Sequence, residues 1–178
     1  MIKPLIHAFL RRLERRYGYD ASYLHELANI SLPAFRRFAT VQRALAWPKA
    51  PRDAWHAAAL AGALTEDCGP CVQIATDRAI EAGVKPDILA ALLSGHPTDA
   101  DAQLAFDYAR ALLTASDTLD DLREQVEARW SKRALVALTY AAMAARNFPT
   151  LKRALGHAKS CQRVRIGETN VTVLKQAA

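Results

Sequence analysis

The sequence has no long apolar run, only three cysteines among 178 residues, and few consecutive β-branched residues. No stretch approaches the roughly 20 apolar residues that a membrane-spanning helix needs, so no membrane span is expected. The first residues form too short an apolar run for a signal peptide and show no cleavage-site pattern. Three cysteines without an export signal argue against a disulfide-rich secreted scaffold and predict a cytoplasmic location.

What the sequence does have favours helices. Hydrophobic residues make up 51% of the chain, and most of them are alanine and leucine. Together with the scarcity of β-branched runs, this composition predicts an all-α protein. A length of 178 residues suits one domain with a full hydrophobic core. We find no internal repeat and no low-complexity linker that would divide it.

Positive charge is concentrated near the N-terminus. The net charge is +6, and residues 1–52 alone hold ten Lys and Arg against three Asp and Glu, a balance of +7. The remainder holds fourteen against fifteen, a balance of −1. Such a basic helix can bind nucleic acid or an anionic membrane. We favour a solvated face on a helix that packs on the body or on a neighbouring subunit, so nucleic acid is not an expected partner.

Apolar residues recur at helical spacing along most of the chain, between glycine, proline and N-capping residues. This periodicity predicts helices at residues 4–17, 20–30, 31–45, 52–64, 69–82, 86–94, 99–112, 119–130 and 131–147. Ser31, Asp99 (or Thr98) and Ser131 are expected at the starts of three of them. The inward face of the first helix is predicted to carry Leu5, Phe9, Leu13 and Tyr17 or the adjacent Leu10, and that of the third Phe35, Phe38, Val41 and Leu45.

Two further predictions concern the C-terminal part. Phe148-Pro149-Thr150 is expected to end the preceding helix, because proline lacks the backbone N–H that a helix interior requires. A separate turn or two would follow. Residues 164–174 alternate weakly between apolar and polar, a pattern that predicts either a small β-hairpin or an extended arm.

Two of the three cysteines lie close together, in the segment Glu66-Asp67-Cys68-Gly69-Pro70-Cys71. At the start of a helix, a Cys-x-x-Cys segment brings both sulfurs within disulfide reach, and the unsatisfied N–H groups there favour thiolate over thiol. Pro70 suits a first helical turn, where its fixed φ and missing N–H cost nothing. Gly83 should end this helix as its C-terminal cap. The pattern predicts a redox-active pair, with a structural or metal-binding pair as the alternative.

A zinc site is the form that the metal alternative would take. Structural zinc normally has four ligands, and here only His157 and Cys161, one helical turn apart, could complete the set. Cys161 could instead resolve a sulfenic acid if it lies near the pair. We favour the redox interpretation, and we expect no metal and no cofactor.

The tetrapeptide Cys-Gly-Pro-Cys is also found in thioredoxins. Their fold needs a strand rich in β-branched and aromatic residues that runs into the motif. Residues 55–64, which precede the motif here, have the alanine-rich pattern of a helix instead. A thioredoxin fold is therefore excluded, whereas thiol chemistry is not.

A helical scaffold with Glu-Asp-Cys-Gly-Pro-Cys at a helix start, followed by Ala82-Gly83-Val84, resembles the alkylhydroperoxidase D-like (AhpD-like) and carboxymuconolactone decarboxylase superfamily. Residues 146–150 and 154–157 look like the end of an uncharacterised bacterial branch of it. The resemblance implies a single-domain, all-α, AhpD-like helical bundle that forms a homo-oligomer. Within it we distinguish basic N-terminal helices (1–50), an AhpD-like core (51–161) and a C-terminal arm (162–178).

The resemblance also implies a function. In the peroxidase members, a thiol pair reduces hydroperoxides, a partner protein re-reduces the pair, and a carboxylate and a histidine relay the proton. Cys68 and Cys71 match the family's cysteines position by position. The relay histidine falls on Ala75, which cannot move a proton, and the relay glutamate falls on His56.

Substitute proton carriers are therefore expected in this chain. The candidates are Glu66, Asp67, His56 and His157, and Glu66 is favoured because a carboxylate beside the thiols could take a proton from one of them. The order of attack stays open. Cys68 should be the more exposed sulfur by helix geometry, whereas the family relay points to Cys71.

Two functions are weighed on these grounds. The first is a thiol-disulfide oxidoreductase with peroxidase activity, in which a thiolate attacks a hydroperoxide or another small-molecule substrate, forms a sulfenic acid, and the second thiol closes the disulfide. A thiol reductant protein would complete the cycle. The alternative is a non-catalytic, oligomeric redox-sensing or scaffold protein, which the missing relay histidine favours.

Overall fold

A computed structural model describes residues 2–157 and 163–173, and these residues form nine helices followed by one β-hairpin. The all-α prediction is confirmed. No helix within the described ranges is both long and apolar enough to cross a membrane. The helices are α1 (Ile2–Tyr17), α2 (Ser22–Ile30), α3 (Leu32–Leu45), α4 (Arg52–Leu64), α5 (Gly69–Glu81), α6 (Pro86–Ser94), α7 (Ala100–Thr114), α8 (Leu119–Arg129) and α9 (Lys132–Ala154), and the strands are β1 (Arg163–Ile166) and β2 (Thr169–Thr172).

Local capping chemistry sets many of the helix boundaries. The side chains of Ser31, Asp99 and Ser131 each accept a hydrogen bond from the backbone N–H three residues later, as predicted for α3, α7 and α9. At the C-terminal ends of α5 and α6, Gly83 and Gly95 take left-handed φ values of 92° and 77°. Glycine adopts this conformation without a steric penalty, which explains why these helices end where the sequence predicted.

The core is built around α4, which packs on both α7 and α9. Its buried residues are nearly all small: Ala54, Ala57, Ala58, Leu60, Ala61, Gly62 and Ala63. These small side chains let the backbones approach closely. At the tightest point, a Cβ added to Gly62 would overlap the backbone carbonyl of Ala142 in α9.

The predicted helix break at Phe148-Pro149-Thr150 is wrong, because α9 continues through Pro149 for more than a further turn. An internal proline removes a helical hydrogen bond and costs roughly 3 kcal/mol, so other contacts must offset it. Pro149 is itself buried. The last turn of α9 places Lys152 against the backbone of Asp20 and Arg153 against Glu66. Tertiary contacts therefore outweigh the local signal of the proline.

The N-terminal helices pack on the body of the protein. In α1, Leu10 is buried, whereas Leu5 and Phe9 are 70% and 62% exposed. The predicted inward face of α1 is therefore wrong for these two residues, because the helix is rotated to direct Leu10 inward. In α3, Val41 is exposed as well and does not face inward as predicted.

Polar contacts fix the end of α1 against α5. Arg16 forms an ion pair of 2.9 Å with Glu81, and the hydroxyl of Tyr17 donates a 2.7 Å hydrogen bond to the same carboxylate. Together these contacts lower the pKa of Glu81, first through the Tyr17 hydrogen bond and then through the one from Arg16. The basic N-terminal segment is thus attached to the helix that begins at the cysteine motif.

The C-terminal hairpin confirms one of the two alternatives for residues 164–174. Strands β1 and β2 pair antiparallel, with Val164 opposite Val171. The side chain of Gln73 in α5 donates to the carbonyl of Arg165 at 2.8 Å and accepts from its N–H at 2.7 Å. Gln73 thereby satisfies the backbone carbonyl and N–H of Arg165 and attaches the hairpin to α5. Leu174, at the end of the predicted pattern, lies outside the described residues.

Candidate functional site

The two cysteines of the motif form a disulfide at the N-terminus of α5. Cys68 is the N-cap residue, and Gly69 and Pro70 occupy the first helical positions, as the sequence predicted. The Cα atoms of Cys68 and Cys71 are 5.3 Å apart. Just before the motif, Asp67 has a φ of 47°, a left-handed conformation that aspartate tolerates better than most residues. This turn leads the chain from α4 into α5.

Both cysteines are buried, with 0% of Cys68 and 3% of Cys71 exposed. The prediction that Cys68 would be the more exposed is therefore wrong. An isolated helix terminus would face solvent, but here the N-terminal helices fold over it. We call this covering group the N-terminal cover, and it consists of Leu10, Tyr19, Ala21, Tyr23 and Leu24.

Two tyrosine hydroxyls of the N-terminal cover lie beside the disulfide. The Tyr19 hydroxyl is 3.7 Å from Sγ of Cys71 and 2.8 Å from the hydroxyl of Tyr23. The two rings meet edge to face, with centroids 6.4 Å apart. Sequence analysis missed these residues because tyrosines among apolar residues are typical of an ordinary core. Tyr19 lies in the loop before α2 and Tyr23 in the first turn of α2, so no helical spacing relates the two hydroxyls.

Lys152 of α9 is fully buried behind the two tyrosines. Its ammonium donates to the backbone carbonyl of Asp20 at 2.9 Å and lies 3.6 Å from the carboxylate of the same residue. It also lies 4.9 and 5.4 Å from the ring centroids of Tyr19 and Tyr23. A buried charge needs such partners. Sequence analysis missed Lys152 because the predicted break at Pro149 separated it from α9.

Burial sets the protonation of the two tyrosines. It raises the pKa of Tyr19 to about 12, while the hydrogen bond with Tyr23 acts in the opposite direction and Asp20 adds a smaller increase. Burial also raises the pKa of Tyr23, and the charge and hydrogen bond of Tyr19 raise it further. Both phenols are therefore protonated at neutral pH, and each has a proton to donate.

An alkaline titration should show this directly. The pKa of Tyr19 is raised from its ordinary value of 10.0 to about 12 in the folded protein. Its contribution to stability is therefore complete below the ordinary pKa and is lost as the pH rises through the folded pKa. Tyr19 should thus contribute about 3 kcal/mol that is lost between these limits. Tyrosinate absorbance at 295 nm and circular dichroism should report ionisation of Tyr19 and Tyr23 together with unfolding. Ionisation of all five tyrosines near pH 10 in the folded protein would contradict it.

Glu66, the favoured proton carrier, is held between two arginines of α9. Its Oε1 accepts from Nε of Arg146 at 2.6 Å, and its Oε2 pairs with Arg153 at 2.8 Å. Arg153 also donates to the backbone carbonyl of Glu66. These contacts attach the turn before the cysteines to α9. The role of Glu66 in proton transfer stays a prediction, alongside this observed role in anchoring the turn.

His56 is half-buried near the start of α4. Its ring packs edge-on against that of Trp55, with centroids 4.9 Å apart. Burial lowers the pKa of His56, and the positive charge of Arg78 lowers it further, so the imidazole is neutral at pH 7. Asp67, the other candidate near the motif, has an exposed side chain. These contacts do not show proton transfer by either residue, so both assignments stay predictions.

His157, which follows the end of α9, contacts two side chains of α2. Its Nδ1 lies 2.9 Å from the hydroxyl of Ser22, and its Nε2 lies 2.7 Å from the carboxylate of Glu26. Cys161, its partner in the zinc alternative, lies outside the described residues. Within residues 2–157 and 163–173, no group of three or more His, Cys, Asp and Glu side chains is arranged to hold a metal ion.

In comparisons with known proteins, no family model, curated protein or solved structure matches this chain. The resemblance to the alkylhydroperoxidase D-like superfamily therefore stays a prediction that rests on the cysteine motif and its helical context. The geometry provides a buried disulfide at a helix N-terminus, two protonated phenols beside it, and a buried ammonium behind them.

Proposed function

We propose that this protein is a thiol-disulfide oxidoreductase that reduces hydroperoxides through Cys68 and Cys71. The observation that carries the proposal is the pairing of the two sulfurs at the start of α5. There, the unsatisfied N–H groups and the helix dipole favour a thiolate once the disulfide is reduced. A thiolate with a second thiol in bonding reach is what a two-electron peroxide reductant requires.

The bonds that form and break in this reaction belong to the two cysteines, a hydroperoxide and a thiol reductant. One thiolate attacks the terminal peroxide oxygen, the O–O bond breaks, and the departing alkoxide takes up a proton to become an alcohol. The resulting sulfenic acid is attacked by the second sulfur, which forms the disulfide and releases water with the second proton. The thiol reductant, for which we propose a protein, then returns two electrons and two protons.

Burial of both sulfurs supports a small oxidant. With the N-terminal cover in place, Cys68 is 0% and Cys71 3% exposed, so a compact hydroperoxide fits the site better than a bulky substrate. A cytoplasmic location belongs to the same proposal, because thiols are kept reduced there and the pair must be re-reduced after each cycle. A homo-oligomeric assembly also stays a prediction.

A non-catalytic redox sensor is the second candidate, and the same burial favours it. A disulfide beneath the N-terminal cover joins the N-cap of α5 to the first turn of the same helix, so its reduction loosens the start of α5 under the cover. Ala75 at the position of the family histidine agrees with a protein that reacts once and does not cycle. The two candidates differ in the number of peroxide molecules consumed per protein molecule.

Turnover is the test that separates them. The reduced protein is mixed with excess tert-butyl hydroperoxide and excess dithiothreitol, and peroxide loss is measured against a protein-free blank. An oxidoreductase consumes many equivalents, and of Cys68→Ser and Cys71→Ser the variant that lacks the attacking cysteine loses turnover. Mass mapping of the two variants after peroxide alone, without dithiothreitol, should find a sulfenic acid in the one that retains the attacking cysteine. Consumption of a single equivalent would refute the enzyme and support the sensor.

A further inference from the structure

We propose that the Tyr19 hydroxyl is a catalytic hydrogen-bond donor to Sγ of Cys71, which makes Cys71 the thiolate that attacks the oxidant. This inference rests on the proposed function, because it assigns roles within the same thiol pair. It places part of the reaction machinery in the N-terminal segment, outside the cysteine motif.

The first support is the contact itself. The Tyr19 hydroxyl lies 3.7 Å from Sγ of Cys71, within the longer range that hydrogen bonds to sulfur have. Tyr19 is only 6% exposed, so water does not compete for the sulfur from that side. A hydrogen bond to an ionised acceptor is about twice as strong as one between neutral groups. Reduction of the disulfide would therefore strengthen this contact and stabilise the thiolate form of Cys71.

Tyr23 orients the donor. A phenol has one proton, so Tyr19 can donate to Cys71 only if it does not donate to Tyr23. The Tyr23 hydroxyl lies 2.8 Å away and can fill that role. Either hydroxyl could donate in this hydrogen bond, and the proposal requires the arrangement in which Tyr23 donates to Tyr19. The Tyr19 proton is then left for the sulfur.

Lys152 supplies positive charge behind the pair. Its ammonium lies within 5.4 Å of both ring centroids and is held there by the carbonyl of Asp20. A buried cation favours nearby negative charge more strongly than an exposed one, since little water screens it. The carboxylate of Asp20, 3.6 Å from the ammonium, offsets part of this charge. Lys152 is therefore a positioning residue in this arrangement, because it acts on the sulfur through the tyrosines.

The test measures how readily Cys71 of the reduced protein reacts with iodoacetamide as a function of pH. Mass mapping separates Cys71 from the other two cysteines. Tyr19→Phe keeps the ring and removes only the hydroxyl, so the site should remain packed. Tyr108→Phe is the matched control, because Tyr108 is another buried phenol whose hydroxyl bonds to Thr139 at 2.7 Å in a different cluster. Circular dichroism and thermal unfolding confirm that each variant folds.

At pH 7, Tyr19→Phe should slow alkylation of Cys71 about tenfold and move its pH profile to higher pH, while the rate at the alkaline plateau stays unchanged. Tyr23→Phe should cause a smaller change in the same direction, and Tyr108→Phe none. A merely structural role for Tyr19 would alter the rate equally at every pH, and that result overturns the inference. So does an unchanged profile.

The inference and the proposed function fail separately. If the wild-type protein turns over hydroperoxide and Tyr19→Phe leaves the Cys71 profile unchanged, the function stands and the role of Tyr19 is refuted. If the wild-type protein does not turn over hydroperoxide but Tyr19→Phe shifts the pH profile of Cys71 alkylation, the thiolate assignment stands and the peroxidase proposal is refuted.

Discussion

Gly62→Ala should lower the free energy of unfolding by about 3 kcal/mol. An added Cβ would overlap the backbone carbonyl oxygen of Ala142 and lie 3.0 Å from its Cα. Backbone atoms in the middle of two packed helices cannot rotate away as a flexible side chain can. Relief would therefore require α4 and α9 to separate, which would loosen a contact in the centre of the core.

The sign of this effect distinguishes packing from helix propensity. By propensity alone, alanine in a helix interior is about 1 kcal/mol more favourable than glycine, so the substitution would stabilise the protein. Ala59→Gly, at a half-buried position on the same helix, is the matched control and should cost about 1 kcal/mol. Urea denaturation followed by circular dichroism gives both values. A gain in stability for Gly62→Ala would show that α4 and α9 do not approach this closely.

Lys152→Ala is expected to cost about 3 kcal/mol. The substitution leaves a cavity under Tyr19 and Tyr23 and removes the hydrogen bond to the carbonyl of Asp20. It also removes the cation from its position against both rings. Because the lysine is completely buried, water does not replace these contacts without rearrangement of the N-terminal cover.

Lys152→Met separates the packing contribution of this side chain from that of its charge. Methionine keeps most of the volume, and loss of the charge removes the desolvation penalty of the ammonium, so this variant should cost about 1 kcal/mol. Lys49→Ala, at an exposed position, is the control and should change stability by less than about 0.5 kcal/mol. Thermal and urea unfolding measure all three. Equal costs for Ala and Met at position 152 would assign the stabilisation to the charge and not to packing.

Features that depend on neighbouring residues could be predicted from the sequence. The caps at Ser31, Asp99 and Ser131, the glycine at the end of α5, and the start of that helix at the cysteine motif need only local backbone hydrogen bonds. The same holds for the tail, where alternation included a hairpin among its alternatives. For these elements, the lowest-energy local structure and the structure in the folded protein coincide.

Features that depend on distant contacts could not be predicted. Local sequence indicates that Pro149 ends a helix, yet contacts of Lys152 and Arg153 with the rest of the chain keep α9 intact. Likewise, apolar residues occur on more than one side of α1. Their periodicity therefore did not show that Leu10 faces the core while Leu5 and Phe9 face solvent. Only the neighbours of each helix determine which side is buried.

The candidate site shows the same division. The spacing of the two cysteines identifies them as a candidate pair. Their position at a helix start could be predicted from the residues that follow them. Tyr19 lies 52 residues away from Cys71 in sequence, and no spacing rule connects the two. The exposed fraction of Cys68 was predicted wrongly for the same reason, since the helices that cover it belong to another part of the chain.

The wide separation of these residues has a consequence for how the chain is made. Contacts around the disulfide join residues 52 positions apart, from Tyr19 to Cys71, and 132 positions apart, from Asp20 to Lys152. On the ribosome, the residues of the N-terminal cover emerge before the cysteines, whereas Lys152 of α9, which packs against Tyr19 and Tyr23, is synthesised much later. The cover can therefore reach its final packing only after α9 has been made. Until then the contacts of Lys152 that hold the cover in place are missing, so the two thiols are less well protected from oxidants in the nascent chain than in the folded protein.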